Sequence, residues 1–161
     1  IVRARAHALE LGASPISAPV GAQCAVIAAA SRALNIVEIG TGAGVSGLWL
    51  LYGSPRATLT TIDSEPEHLG AARQSFAEAR IPAARARFIT GRAADVLPRM
   101  NEASYDIVLV DADPEGVIEY VEHGLRLVRA GGTVLVPRVL GNGAILLKPL
   151  IVQSLQQKRS H

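Results

Sequence analysis

The sequence predicts a single α/β domain in which a parallel sheet of about five strands carries helices on both faces. Three observations support this. Short apolar runs alternate with longer helical stretches between residues 35 and 137. The first run, Ile36-Val37-Glu38-Ile39, enters a turn built on Gly40, Gly42 and Gly44. Two later runs end on an acid, Asp63 and Asp111. Successive βα units imply a parallel sheet, and right-handed crossovers imply a doubly wound strand order, 3-2-1-4-5.

The elements follow in order. Residues 3–12 read as an amphipathic helix ended by Gly12, residues 14–19 as a loop, and residues 21–34 as an alanine-rich helix. Strand one is 36–39 and its helix 45–52. Strand two is 57–62, ending at Asp63, and Pro66 sits in the first turn of a helix reaching Arg80. Strand three is 86–90, and Gly91-Arg92 leads to a short helix through Val96. Strand four is 105–110, a helix covers 115–128, and Gly131-Gly132 turns the chain into strand five, 133–136. One domain, 1–161, therefore divides into N-terminal helices (1–34), a βα core (35–137) and a shortened C-terminal segment (138–161).

Composition narrows the class. The chain has 161 residues, enough for one domain with a sizeable core, and its net charge is +2. Its arginines are scattered, which argues against a nucleic-acid partner. Cys24 is the single cysteine, so no disulfide framework forms within the chain, and its apolar setting suits a small buried residue. No apolar run reaches membrane-spanning length, so no membrane partner and a cytoplasmic location are expected. His7, His68, His123 and His161 lack metal-ligand spacing, and His68 and His123 read as solvated helix residues.

The glycine turn admits two registers. Gly42-x-Gly44-x-x-Gly47 with Asp63 about 20 residues on fits a dinucleotide fingerprint. In the other register the turn opens at Gly40, directly after the apolar strand. The strand favours the second, because the first places Gly40 inside it. Glu38 favours it too, since an acid beside a pyrophosphate is repelled. Ligands in such sheets sit beyond the carboxyl ends of the strands, where the turn, Asp63, Gly91 and Asp111 converge.

In that register Glu38-x-Gly40-x-Gly42-x-Gly44 resembles motif I of the class I S-adenosylmethionine-dependent methyltransferases. Residues 1–140 further resemble the bacterial branch of the catechol/caffeoyl-CoA O-methyltransferases. The matching segments are Ser17-Ala18-Pro19-Val20-Gly21, Val37 to Ser46, Thr61-Ile62-Asp63, Gly91-Arg92-Ala93 and Val110-Asp111-Ala112-Asp113. The resemblance implies a Rossmann-like methyltransferase fold. It also implies S-adenosylmethionine as cofactor, S-adenosylhomocysteine as product, a small-molecule hydroxyl as acceptor and a homodimer. The residues expected to hold the cofactor are Val20, Glu38, Gly40, Thr41, Gly42, Ser46, Asp63, Ser64, Gly91, Arg92, Ala93 and Asp111. Of these, Ser46 is expected at the carboxylate, Asp63 at both ribose hydroxyls, Gly91–Ala93 at the adenine and Asp111 near the sulfonium.

Two departures from the family pattern qualify the chemistry. The metal-dependent members hold Mg²⁺ with the first acid after strand four and an Asp-Asn pair after strand five. Asp111 matches the acid, but the pair falls on Pro137-Arg138 and the family's lysine falls on Pro114. No metal ligand set is therefore expected. Asp111, Asp113 and Arg138 become the candidate catalytic groups, with Arg138 replacing the metal's charge. Loss of catalysis with retained cofactor binding is the alternative, and a dinucleotide-dependent oxidoreductase is another. The second departure is the short C-terminus. Gly141-Asn142-Gly143 reads as a turn, 144–147 as a short strand, 150–155 as a strand or helix, and 156–161 as a frayed tail. A bare sheet edge after strand five is the expectation, open to a partner subunit.

Overall fold

A computed structural model of the chain describes residues 1–138 and 150–153. Helices α1 (Val2–Glu10) and α2 (Ala18–Ala30) precede β1 (Asn35–Ile39), α3 (Val45–Gly53), β2 (Thr58–Asp63) and α4 (Pro66–Glu78). Then come β3 (Ala86–Thr90), α5 (Ala93–Val96), β4 (Tyr105–Val110), α6 (Val117–Leu127), β5 (Val128–Val136) and β6 (Leu150–Gln153). The sheet order is β3-β2-β1-β4-β5-β6. The first five strands are parallel in the expected order, and β6 pairs antiparallel with β5. The β5 edge expected to be bare is thus covered along Thr133–Val136. The turn at 141–143, the strand at 144–147 and the tail lie outside the described residues.

Several boundaries differ by a few residues, α2 ending at Ala30 and not at 34, and two differences have clear physical reasons. Helix α2 begins at Ala18, inside the expected loop, because the Ser17 hydroxyl caps it by accepting the Val20 N–H and Pro19 fits the first turn. Strand β5 begins at Val128, before the glycine pair. Its ladder jumps from Tyr105↔Val128 to Ile107↔Thr133, and Gly131 takes the irregularity at φ +77°.

Alternation along the strands sorts the core. Ile36, Leu59, Ile107, Leu109 and Leu135 face α1–α4, whereas Val37, Ile39, Ile62, Val108 and Val134 face α5 and α6. Glu38 belongs by register to the first face, under α3, and its neighbour across the β1–β2 ladder is Thr61. Beyond the strand ends lies a cavity bordered by residues of both apolar layers, such as Val45 and Ile62. The glycine turn, the β2 and β4 acids and the loop before α5 meet there.

Candidate functional site

The turn after β1 is shaped by its neighbours. Gly40 adopts φ +92°, and a Cβ on it would lie 2.1 Å from the Asp111 carbonyl oxygen. Only glycine allows the turn and the end of β4 to pass so closely. Gly42 adopts φ +51°, but a Cβ there would meet no atom within 4 Å. It stands on the wall of a cavity of about 610 Å³, a size that suits a small-molecule ligand. The wall also carries Gly40, Ser46, Asp63, Ser64, Gly91, Arg92, Ala93, Asp111, Asp113 and Arg138. Segments far apart in sequence are thereby brought to one crevice.

Val20, Glu38 and Thr41 are not among the residues that line that wall. Each is buried. Glu38 is fully buried and accepts hydrogen bonds from Ser46 Oγ at 2.5 Å and Thr61 Oγ1 at 2.6 Å. Thr61 spends its single proton on Glu38, so Thr41 Oγ1, 2.6 Å away, donates to Thr61. Burial pushes the Glu38 carboxyl up to about 7 against the pull of these two hydroxyls, with Asp111 and Asp63 adding repulsion. The acid of the glycine motif therefore ties β1 to β2 and to the first turn of α3. It supports the cradle from behind.

Asp63, at the end of β2, locks the turn from the other side. Its Oδ2 accepts the N–H groups of Thr41 at 3.0 Å and Gly42 at 3.1 Å, and Oδ1 accepts Glu65 N–H at 2.9 Å. His68, on the first turn of α4, places Nδ1 3.3 Å from Asp63 Oδ2 and lines the cavity. Its side chain is 24% exposed, so it is no solvated surface histidine. His123 is similarly sheltered, 4.0 Å from Glu119 one helical turn away. Gly91 N–H donates to the Asp63 carbonyl at 2.9 Å, fixing the Gly91–Ala93 loop beside this acid.

At the mouth, Arg138 Nε lies 2.9 Å from Asp111 Oδ1. Burial raises the Asp111 pKa, and the guanidinium pulls it back. Arg138 also donates to the Ser14 carbonyl, while Arg5 donates to the Ile16 carbonyl at 2.5 Å. The two arginines pin the segment Ala13–Ile16, which forms part of the wall. Asp113 accepts Gly116 N–H at 2.9 Å and the Tyr120 hydroxyl at 3.3 Å, and its side chain stays exposed.

Sequence reasoning missed His68, Tyr120 and the Ala13–Ile16 segment. A histidine five residues after a strand-end acid, on the first turn of the next helix, was a usable signal for the first. The N-terminal segment left none, because its place depends on how α1 and α2 dock. Among the described residues no helix is long and apolar enough to cross a membrane.

Comparison with known proteins matches residues 37–136 to the methyltransferase domain family. A relative from Mycobacterium tuberculosis, named Probable O-methyltransferase Rv1220c, is 50% identical over 141 residues. That match covers 87% of this chain and 63% of the relative, so the chain spans under two thirds of the relative's length. Among solved structures, the O-methyltransferase TomG from Streptomyces achromogenes, in complex with S-adenosylmethionine, is 33% identical with a TM-score of 0.78. The two align over 84% of this chain and 63% of TomG. An O-methyltransferase from Bacillus cereus, in complex with S-adenosylhomocysteine, is 26% identical with a TM-score of 0.74, over 83% of this chain and 65% of its own. From its strand order, its glycine turn and these likenesses, the chain belongs to the methyltransferase domain family.

Proposed function

We propose that the protein transfers a methyl group from S-adenosylmethionine to a hydroxyl of a small-molecule acceptor, and that it does so without Mg²⁺. One observation carries the reading. The bare backbone of Gly42 opens onto a cavity that also gathers Ser46, Asp63, Gly91–Ala93 and Asp111. Those residues fit the cofactor. The turn would hold its methionine end. Ser46, whose proton goes to Glu38, offers lone pairs to an ammonium group and not a donor to a carboxylate. Asp63 suits ribose hydroxyls, the Gly91–Ala93 loop suits the adenine, and Asp111 suits a neighbouring positive sulfur. The same acids disfavour a pyrophosphate. The TomG and Bacillus cereus complexes support the cofactor by likeness.

The residues do not fit Mg²⁺. The carboxylate that would ligate it is engaged by a guanidinium, Pro137 has no ligating side chain, and Pro114 replaces the lysine. Arg138 supplies fixed positive charge at that place, suited to an anionic acceptor oxygen. The bound cofactor would supply a methyl group on a positive sulfur, which passes to the acceptor oxygen as the carbon–sulfur bond breaks. The acceptor's proton goes to a carboxylate at the mouth. Asp113 is exposed to it, and Asp111 is made more basic by its burial. Positioning in line supplies much of the remaining acceleration. The proposal retains the cytoplasmic location and the homodimer that the sequence reading implied.

Transfer of a labelled methyl group to a panel of phenolic and acidic acceptors tests the proposal. Turnover is expected with chelator present, and Arg138→Ala is expected to lose about 10²-fold in kcat/KM. Unchanged turnover in Arg138→Ala sinks the role of the guanidinium. Cofactor binding with no transfer to any acceptor favours a binding protein that has lost catalysis.

A further inference from the structure

We propose that His68 is a second ribose-binding residue, so that a vicinal diol is shared between Asp63 Oδ1 and His68 Nε2 and not held by Asp63 alone. The inference rests on the cofactor reading above and deepens it at one subsite. A carboxylate oxygen only accepts, so the 3.3 Å contact with Asp63 Oδ2 places a proton on His68 Nδ1. In the neutral ring Nε2 is then an acceptor, and it has no hydrogen bond among the described residues. His68 lines the cavity together with Asp63 and Ser64, and 24% of its side chain is exposed, against 10% for Asp63. Asp63 itself is nearly saturated. Oδ2 faces three donors, from Thr41, Gly42 and His68, while Oδ1 faces one, from Glu65. Each carboxylate oxygen has about two lone-pair sites, so this acid has room for one more donor, at Oδ1. A diol has two. The adjacent acceptor that fits the second is His68 Nε2.

Calorimetric titration of the full chain with S-adenosylhomocysteine and its 2′-deoxy and 3′-deoxy analogues tests this. The variants are His68→Ala and His68→Asn, the second keeping an amide donor near the Nδ1 position while losing the Nε2 acceptor. In the wild-type protein, loss of either hydroxyl is expected to weaken binding about tenfold, the value of one good hydrogen bond. Both variants are expected to bind S-adenosylhomocysteine about tenfold more weakly and to lose the penalty for one deoxy analogue while keeping it for the other. His68→Asn should melt close to the wild-type protein. Wild-type affinity in His68→Asn overturns the inference. So does weakening of all three ligands in equal proportion, which is the mark of a merely structural loss. If the wild-type protein binds no S-adenosylhomocysteine, the cofactor reading fails first and the subsite with it, a result separable from wild-type binding that ignores His68.

Discussion

Replacing Gly40 with alanine sets a methyl group 2.1 Å from the Asp111 carbonyl oxygen, a contact between two backbones that no rotamer relieves. Gly40 N–H donates to Ile62 O at 2.9 Å and Asp111 N–H donates to Ile39 O at 2.8 Å. Relief therefore requires either the Asp111–Ile39 bond to open as β1 parts from the end of β4, or the Gly40–Ile62 bond to open as the turn parts from β2. The left-handed φ of +92° adds about 1–2 kcal/mol for an L residue, overpacking about 1–3, and a lost hydrogen bond about 1. The sum is about 4 kcal/mol, a large share of the roughly 5–15 kcal/mol that stabilises a domain. At this chain length each kcal/mol shifts Tm by about 2–4 °C, so Gly40→Ala should melt roughly 10 °C lower or fail to fold. Gly42→Ala is the matched control. It meets the strain of φ +51° but no atom within 4 Å, so its Tm should fall by only a few degrees. Its methyl group enters the cavity, so S-adenosylhomocysteine affinity should fall at least about tenfold. Thermal unfolding and calorimetry read both quantities. Equal Tm losses in the two variants, or undiminished binding by Gly42→Ala, would refute the reasoning.

Further outcomes follow from the buried acids. Glu38 holds its proton more tightly folded than unfolded, so the stability it contributes is full below about pH 4.5 and lost as pH rises through about 7. Glu38→Gln should therefore gain on the wild-type protein by roughly 3 kcal/mol between pH 4.5 and pH 8 in urea unfolding, and a gap independent of pH would contradict the burial argument. Asp106, at the other end of β4, accepts the N–H groups of Leu34 at 2.7 Å and Asn35 at 2.9 Å and pairs with Arg129. Asp106→Ala should cost about 3 kcal/mol while leaving S-adenosylhomocysteine affinity unchanged; lost affinity at unchanged stability would place this acid in the wrong role.

The sheet order was legible because each parallel strand writes its own signal. Ile36–Ile39 and Tyr105–Val110 are apolar runs closed by a glycine or an acid, and a ligand crevice at their ends follows from the topology. The start of α2 was also written, in Ser17 and Pro19, but a Ser-Pro-rich stretch reads equally as loop. What stayed hidden depends on contacts across the sheet. Sequence shows Glu38 beside the glycine turn, but only the pairing with Thr61 and the overlying α3 reveal that it faces inward. Arg138 was singled out for chemistry, yet its grip on Ser14 joins segments 124 residues apart, which no local pattern encodes. His68 failed for the opposite reason. Its polar helical neighbours suggested solvent, whereas the close approach of α4 to the end of β2 shelters it.

Calorimetric titration of the full chain with S-adenosylmethionine and S-adenosylhomocysteine, with Mg²⁺ and then with chelator, and with NAD as control, tests the central claim most directly. The account predicts micromolar binding of both ligands, unaltered by chelator, and none of NAD. Binding of NAD alone, no binding of either methyl-cycle ligand, or binding that requires Mg²⁺ would contradict it.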